Sequence, residues 1–541
     1  MKTYLQVISF AGSMFLLLLN VSNAKTPNNF TKKVFGQIGN DTLKAQILTP
    51  PAPDFPRING AKVFGVRPGS PFLFYMPASG IRPIVFSAKG LPKGLRLDAN
   101  TGMITGSVAK AGTYNVMLKA KNAFGTATRN LKVVVGDTIA LTPPMGWNSW
   151  NVFAANVSAE KVKKAADAMV NSGLINHGWT YINIDDFWQN NHNKTTDQTL
   201  QGDYRDAQGN ILPNARFPDM KGLADYIHNK GLKAGLYSSP GPYTCGRCAG
   251  SWQHELQDAK TYANWGFDFL KYDWCSYGRI VTDSTQGVPT YKNKRFDSVA
   301  AVYPYDLMGK ALKAQQRDIV YSLCQYGVGE VWKWGSTVNG TCWRTTGDIY
   351  DSWEVQGKSG AQNSVSKIGF NQNQSAPYSG PGRYNDPDML VIGYVGWGKP
   401  HPTRLTPDEQ YAHISLWCLL SAPLLLGCDL EKLDDFTLNL ITNDEVIDID
   451  QDPLAIGASR VSAVDSLEIF KKPLEDGSLA VGLFNRRSTK ATIKVSWSDL
   501  GISGKQIIRD VWRQKDIAIV KDNYETEVAA HGVVLLKLKS K

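Results

Sequence analysis

The chain has 541 residues, of which 43% are hydrophobic, 11% aromatic and 20% charged. That is too long for a single core, so about two to four domains are expected, and the balance excludes a disordered or fibrous chain. The formal charge is +11, but Lys and Arg are scattered with no dense basic block, which argues against a nucleic-acid partner. Fifteen Trp and 22 Tyr suit stacking on sugar faces as well as they suit large aromatic cores.

The N-terminus carries Lys2, an apolar run over 7–19 and a small-x-small site at Ser22-Asn23-Ala24. This predicts a cleavable signal peptide over 1–24 and a secreted or periplasmic protein. The run is short for a membrane span, and the apolar stretch 416–426 is interrupted by Ser421 and Pro423, so no span is expected. Seven Cys in an exported chain permit disulfides and leave at least one thiol unpaired. Cys245 and Cys248 form a C-x-x-C with no second pair or H-x-H beside it, so no metal site is expected.

Pro50, Pro51, Pro53 and Pro56 mark a linker or an edge. Short alternating segments follow at 71–75, 84–87, 113–119 and 126–135, with a run of turns over 90–106. No helical period intervenes. The segment 25–136, with its leading linker, therefore reads as a β-sandwich of about one immunoglobulin domain. Its Leu-Pro-x-Gly-Leu turn at 91–95 and Thr-Gly-x-Ile-x-Gly turn at 101–106 resemble those of Ig-like modules found ahead of bacterial glycosidases.

Beyond Leu141 the pattern changes. Eight strand-like runs occur at 145–150, 181–188, 233–239, 267–275, 319–327, 342–349, 383–391 and 421–428. Helical stretches at 159–172, 220–230, 256–265 and 305–316 fall between them. Eight β/α units predict a (β/α)8 TIM barrel over 137–454. A doubly wound sheet is the alternative, but no Gly-rich phosphate loop follows the first strand, and no cofactor is expected. Alternating strands return at 467–471, 478–484, 491–496 and 527–538, which predicts a C-terminal antiparallel β-domain over 455–541. The fold class is thus a multidomain chain, a barrel flanked by an Ig-like sandwich and a second β-domain.

Barrel chemistry sits at the C-terminal ends of the strands. Asp185 and Asp186 end the second run, Lys271 and Asp273 the fourth, Gln325 the fifth, and Arg344 and Asp348 the sixth. Any one Asp at a strand end is more often a helix cap or an ion-pair partner than a catalyst. Concentration at successive strand ends shifts those odds. Paired carboxylates with aromatics and no cofactor loop are what glycoside hydrolysis needs: one attacks or stabilises the anomeric carbon, the other protonates the leaving oxygen.

Seven short motifs in order make the resemblance specific. They are Pro144-Met145-Gly146-Trp147-Asn148-Ser149-Trp150, Ile184-Asp185-Asp186-x-Trp188, Lys271-Tyr272-Asp273-Trp274-Cys275, Trp343-Arg344-Thr345-Thr346-Gly347-Asp348-Ile349, Asn385-Asp386-Pro387-Asp388-Met389-Leu390, Asn443-Asp444-Glu445-Val446-Ile447 and Gln451-Asp452-Pro453-Leu454. Together they resemble glycoside hydrolase family 27, the α-galactosidases and α-N-acetylgalactosaminidases. The resemblance implies a retaining exo-glycosidase acting on terminal α-D-galactosyl residues, with Asp273 as nucleophile and Asp348 as general acid/base. It further implies that Asp185 and Asp186 bind O4 and O6 near Trp150, that Lys271 reaches O3 and O4, that Arg344 reaches O2 and O3, and that Tyr237 lines the site. It also implies a Cys245–Cys275 disulfide, with Cys248 as the rival partner.

The departure is at strand five. The family usually carries Cys-Glu-Trp there, with the Glu on O2; this chain has Cys324-Gln325-Tyr326-Gly327. Gln325 is expected to keep the O2 contact without the charge, and the bulk of Gln325 and Tyr326 to exclude a 2-acetamido group. Nearby Lys271 and Arg344 are expected to keep Asp273 ionised, and Asp348 is expected to have a raised pKa. The alternatives are another sugar on the same scaffold, a β-L-arabinopyranoside or an α-N-acetylgalactosaminide, and a non-catalytic carbohydrate-binding protein.

Overall fold

The computed structural model describes residues 46–191, 196–291, 297–354 and 363–541. The signal-peptide segment 1–24 lies outside them. Among the described residues no helix is long and apolar enough to cross a membrane.

At the centre is an eight-stranded parallel sheet: β1 (Met145–Asn148), β2 (Tyr181–Asn183), β3 (Lys233–Ser238), β4 (Phe269–Asp273), β5 (Val320–Cys324), β6 (Cys342–Arg344), β7 (Tyr384–Asp386) and β8 (Leu424–Leu426). Each pairs with its sequence neighbour, and β1 pairs with β8. A single parallel bridge from Leu390 to Leu426 closes β7 onto β8. The eight strand-like runs all contain a strand, each shorter than its run. Their polar C-terminal tails leave the sheet to form the rim.

Alternation sets which side chains face inward. Along β4, Phe269 joins the inner apolar layer with Tyr181, Val320, Cys342, Tyr384 and Leu425. Lys271 and Asp273 follow on the same side, nearer the C-terminal rim. Leu270 and Tyr272 point out, where Tyr272 meets Tyr305 of the helix Ser298–Lys313 edge-on at 5.9 Å between ring centroids. That helix begins seven residues before the predicted stretch at 305–316, because Asp297 caps it through the Val299 and Ala300 amides. Gly146 and Gly235 permit the tight strand spacing: a Cβ on Gly146 would lie 2.3 Å from the Tyr181 carbonyl oxygen, and one on Gly235 would lie 2.0 Å from Asn183 Oδ1.

Two smaller β-domains flank the barrel. The first stacks the four-stranded sheet Val63–Val66, Gly125–Val135, Gly112–Asn122, Val85–Lys89 on the three-stranded sheet Pro71–Tyr75, Met103–Ser107, Leu95–Leu97. Phe72, Ile104, Val116, Leu118, Leu131 and Val133 fill the space between them. The second has a six-stranded antiparallel sheet, in the order Ser459–Val464, Leu467–Pro473, Leu479–Asn485, Val533–Ser540, Gln506–Asp510, Lys515–Val520. A pair formed by Ala491–Ser496 and Asn523–Val528 covers it. The single run expected over 527–538 is two strands in two sheets, separated by the turn at Ala529–Gly532. Its alternation continues on both sides of the turn, which hides the break.

Candidate active site

The rim residues of β1 to β7 converge on one pocket, lined by Trp150, Asp185, Asp186, Tyr237, Lys271, Asp273, Arg344 and Asp348 among others. The barrel register brings them level: Tyr237 pairs with Lys271, Asp273 with Cys324, and Arg344 with Asp386.

Asp273 ends β4 at the pocket floor, 6% exposed. Both its oxygens are held by phenols: the Tyr237 hydroxyl donates to Oδ2 at 3.0 Å and the Tyr326 hydroxyl to Oδ1 at 2.5 Å. Burial raises the Asp273 pKa above the usual carboxylate range, against the pull of Lys271 and the Tyr326 hydrogen bond. The expected role of Lys271 in keeping Asp273 ionised is real in sign but outweighed by desolvation. Lys271 itself donates to Asp185 Oδ2 at 2.8 Å and lies over the Tyr237 ring. Burial disfavours its charge, but Asp185 more than restores it.

Asp348 stands at the pocket mouth with its side chain 59% exposed. Arg344 donates to it at 3.1 Å, and the same nitrogen lies 2.8 Å from an Asp388 carboxylate oxygen in a second ion pair. Burial pushes the Asp348 pKa up, but Arg344 and Lys271 outweigh it, so the carboxyl sits below its ordinary value. This corrects the expected raised pKa: in the open pocket the ion pair with Arg344 wins. The proton affinity has moved to Asp388, which burial raises to about 6.

Asp185 and Asp186 do not cap a helix. The Asp185 amide donates to Ser149 Oγ at 2.9 Å, and the Asp186 carboxylate accepts from the Gly246 and Phe187 amides at 2.7 and 2.8 Å. Burial lifts the Asp186 pKa to about 6. Trp150 stacks on Phe187 with centroids 6.4 Å apart and forms one wall.

Gln325 is not in the pocket. Its amide donates to the Val328 carbonyl at 2.6 Å, and it lines a separate small cavity with Trp274, Tyr291, Tyr305 and Val328. The reason is alternation: Cys324 ends β5 facing inward, within 3.8 Å of Arg344, so the next residue faces out. The chain then turns at Tyr326, φ +63°, and Tyr326 enters the pocket in its place. Asn151, Asp388 and Met389 are the lining residues that strand-end reading passed over, and Tyr326, expected only to add bulk beside Gln325, lines the pocket itself. Asp388 was visible within its motif, but nothing at the sequence level marked it as facing Arg344.

Cys245 and Cys275 form the disulfide, with Cα atoms 4.9 Å apart. Cys248 is buried and free. Cys245, Asp273 and Cys275 gather possible ligand atoms within 4.8 Å of one another, but both sulfurs are spent in the disulfide, so the group offers no thiolates to a metal.

A parallel eight-stranded barrel with two carboxylates, further acids and two cations gathered at its C-terminal rim defines a glycosidase-type site. Residues 142–452 match the family model described as Alpha galactosidase A, and residues 464–538 match the Alpha galactosidase C-terminal beta sandwich domain. Residues 56–136 match a model of Ig domains. An α-galactosidase of Cyamopsis tetragonoloba is 39% identical over 424 residues, which is 77% of this chain and 91% of that protein. The crystal structure of a candidate α-galactosidase/melibiase of Bacteroides fragilis superposes with a TM-score of 0.80 at 37% identity, covering 92% of this chain and 100% of that one. α-Galactosidase I of Mortierella vinacea superposes with a TM-score of 0.65 at 32% identity, over 74% and 98% of the two chains. The chain belongs to the α-galactosidase family, glycoside hydrolase family 27, and is a glycoside hydrolase.

Proposed function

We propose that this enzyme removes terminal α-D-galactosyl residues from oligosaccharides or polysaccharides with retention of configuration. The observation that carries the reading is the pairing of a buried Asp273 at the pocket floor with an exposed Asp348 at its mouth. Asp273 attacks the anomeric carbon and forms a glycosyl-enzyme. Asp348 protonates the departing oxygen and then activates water. Asp185 and Asp186 take O4 and O6 beside Trp150, Lys271 takes O3 and O4, Arg344 takes O2 and O3, and Tyr237 orients the floor. Charged partners for every ring hydroxyl favour a terminal sugar over an internal one. The axial O4 of galactose suits the Asp185–Lys271 pair. Export is part of the same proposal, supported by the signal-type N-terminus together with the disulfide.

A panel of aryl glycosides tests it. The α-galactoside is expected to be the best substrate, ahead of the α-N-acetylgalactosaminide, the β-L-arabinopyranoside and the α-glucoside. Asp273→Asn is expected to lose turnover on all of them by at least about a thousandfold. Preference for another sugar, or substantial residual turnover in Asp273→Asn, contradicts the reading.

A further inference from the structure

The two hydroxyls on Asp273 are not an ordinary packing detail. A buried carboxylate normally draws its charge compensation from the nearest cation, but Lys271 is committed to Asp185 at 2.8 Å. The direct donors to Asp273 are instead neutral phenols, one on each oxygen. Their anchors differ. Tyr237 sits within β3, and its carbonyl is pinned by Trp188 Nε1 at 2.8 Å and Gln189 Nε2 at 3.1 Å. Tyr326 sits on the turn after β5, in the left-handed region at φ +63°. That turn is closed by Gln325 Nε2 on the Val328 carbonyl at 2.6 Å. It is pressed at Gly327 against the residue that follows β6, where a Cβ would come within 2.0 Å of the Thr345 carbonyl oxygen. A non-glycine residue held at positive φ costs energy that the surrounding packing must offset. The disulfide braces both phenols, with Cys275 Sγ 3.2 Å from the Tyr237 hydroxyl and Cys245 Sγ 4.0 Å from the Tyr326 hydroxyl.

We propose that Tyr326 is a positioning residue for the nucleophile: with Tyr237 it fixes the Asp273 carboxylate and stabilises its ionised form, while leaving a lone pair on each oxygen for attack. The proposal rests on the reading of Asp273 as nucleophile. Burial holds both phenols protonated far beyond neutral pH, so each can serve only as a donor while Asp273 is charged. A protonated Asp273 would lose the charge that strengthens both phenolic hydrogen bonds, and one phenol would have to turn its O–H aside to accept instead. The clamp therefore selects the carboxylate, in the same direction as Lys271 and against desolvation. The other charged groups facing Asp273 are Asp185, Asp186, Arg344, Asp348 and Asp388, all on other strand ends of the same pocket. None of them is altered by removing one phenolic oxygen.

The test is the rate at which an activated fluorinated galactoside labels the enzyme across pH, with peptide mapping of the labelled residue. Tyr326→Phe keeps the ring and removes the donor. The acidic limb of the labelling rate is expected to move to higher pH than in wild type. The kcat on an aryl α-galactoside is expected to fall about 10- to 100-fold, with KM changed much less. Tyr237→Phe should shift the same limb in the same direction, and provides the second reading if Tyr326→Phe folds poorly. A label on Asp273 with the limb unmoved in both variants overturns the clamp alone. A label on any other residue overturns the assignment of the nucleophile, and the clamp with it.

Discussion

Arg344 shares one nitrogen between two carboxylates, and that sharing bears on the proton balance of Asp348, the proposed acid/base. Asp388 is buried, accepts from the Ile349 and Met389 amides at 2.8 Å each, and holds its proton up to about 6. Its loop is fixed by Trp417 Nε1 on the Asp388 carbonyl at 2.7 Å. Asp388→Asn removes a like charge from beside Asp348 and leaves Asp348 as the carboxylate paired with Arg344. Both changes lower the proton affinity of Asp348. The acid form of Asp348 is therefore lost at lower pH, and the descending alkaline limb of kcat/KM is expected to move down. At neutral pH the loss should be on the order of tenfold with poor leaving groups and small with good ones, which need little protonation. Because the two groups titrate together, the limb belongs to the pair. An unmoved limb would show that Asp388 only holds the loop.

The disulfide joins the segment after β3 to the end of β4, across a sequence separation of 30. Closing a loop of that length contributes about 3.5 kcal/mol if unstrained. Cys245→Ser is expected to lower the melting temperature accordingly, and to lose activity beyond what stability explains because both phenols lose their brace. Reductant should reproduce both effects in wild type and neither in the variant. Non-reducing peptide maps should show Cys248 free, since its buried thiol has its amide on Thr244 Oγ1 at 3.0 Å and sits beside Asp186. Spacing alone left Cys245 and Cys248 equivalent, and only the family resemblance chose between them. The same limit governs the rest of the site. Strand ends and their acids were legible because a barrel strand is a short apolar run with a polar tail. The inward or outward sense of the residue after a strand was not, because it depends on where the ladder stops. Ending β5 at Cys324 sends Gln325 out and lets Tyr326 turn in, so the O2 contact assigned to Gln325 has no geometric basis. Asp388 was hidden for a related reason: it acts from a loop, through φ +88°, rather than from a strand.

In the whole molecule the chemistry faces one end of the barrel, and stability is concentrated at the other end and at the flanks. The Ig-like domain grips the barrel through Arg67, which binds Asp318 and the Lys313 and Gln315 carbonyls, and through Arg129 on Asp448. The C-terminal domain holds the same helix through Arg509, which makes a two-pronged pair with Glu445, and the buried ammonium of Lys472 is satisfied by Ser421 Oγ and barrel carbonyls. Beneath the barrel, a cavity of about 380 Å3 separates the Ig-like domain from the N-terminal face. That face is remote from the rim where Asp273 and Asp348 meet. The central claim is a retaining displacement by that pair, and the product formed by Asp348→Ala in the presence of azide tests it most directly. With a good aryl leaving group the variant should still form the glycosyl-enzyme and stall, since no base activates water. Azide, which needs no base, should then accelerate turnover and yield the α-galactosyl azide. A β-azide, or no acceleration at all, would contradict a covalent intermediate on Asp273 resolved by Asp348.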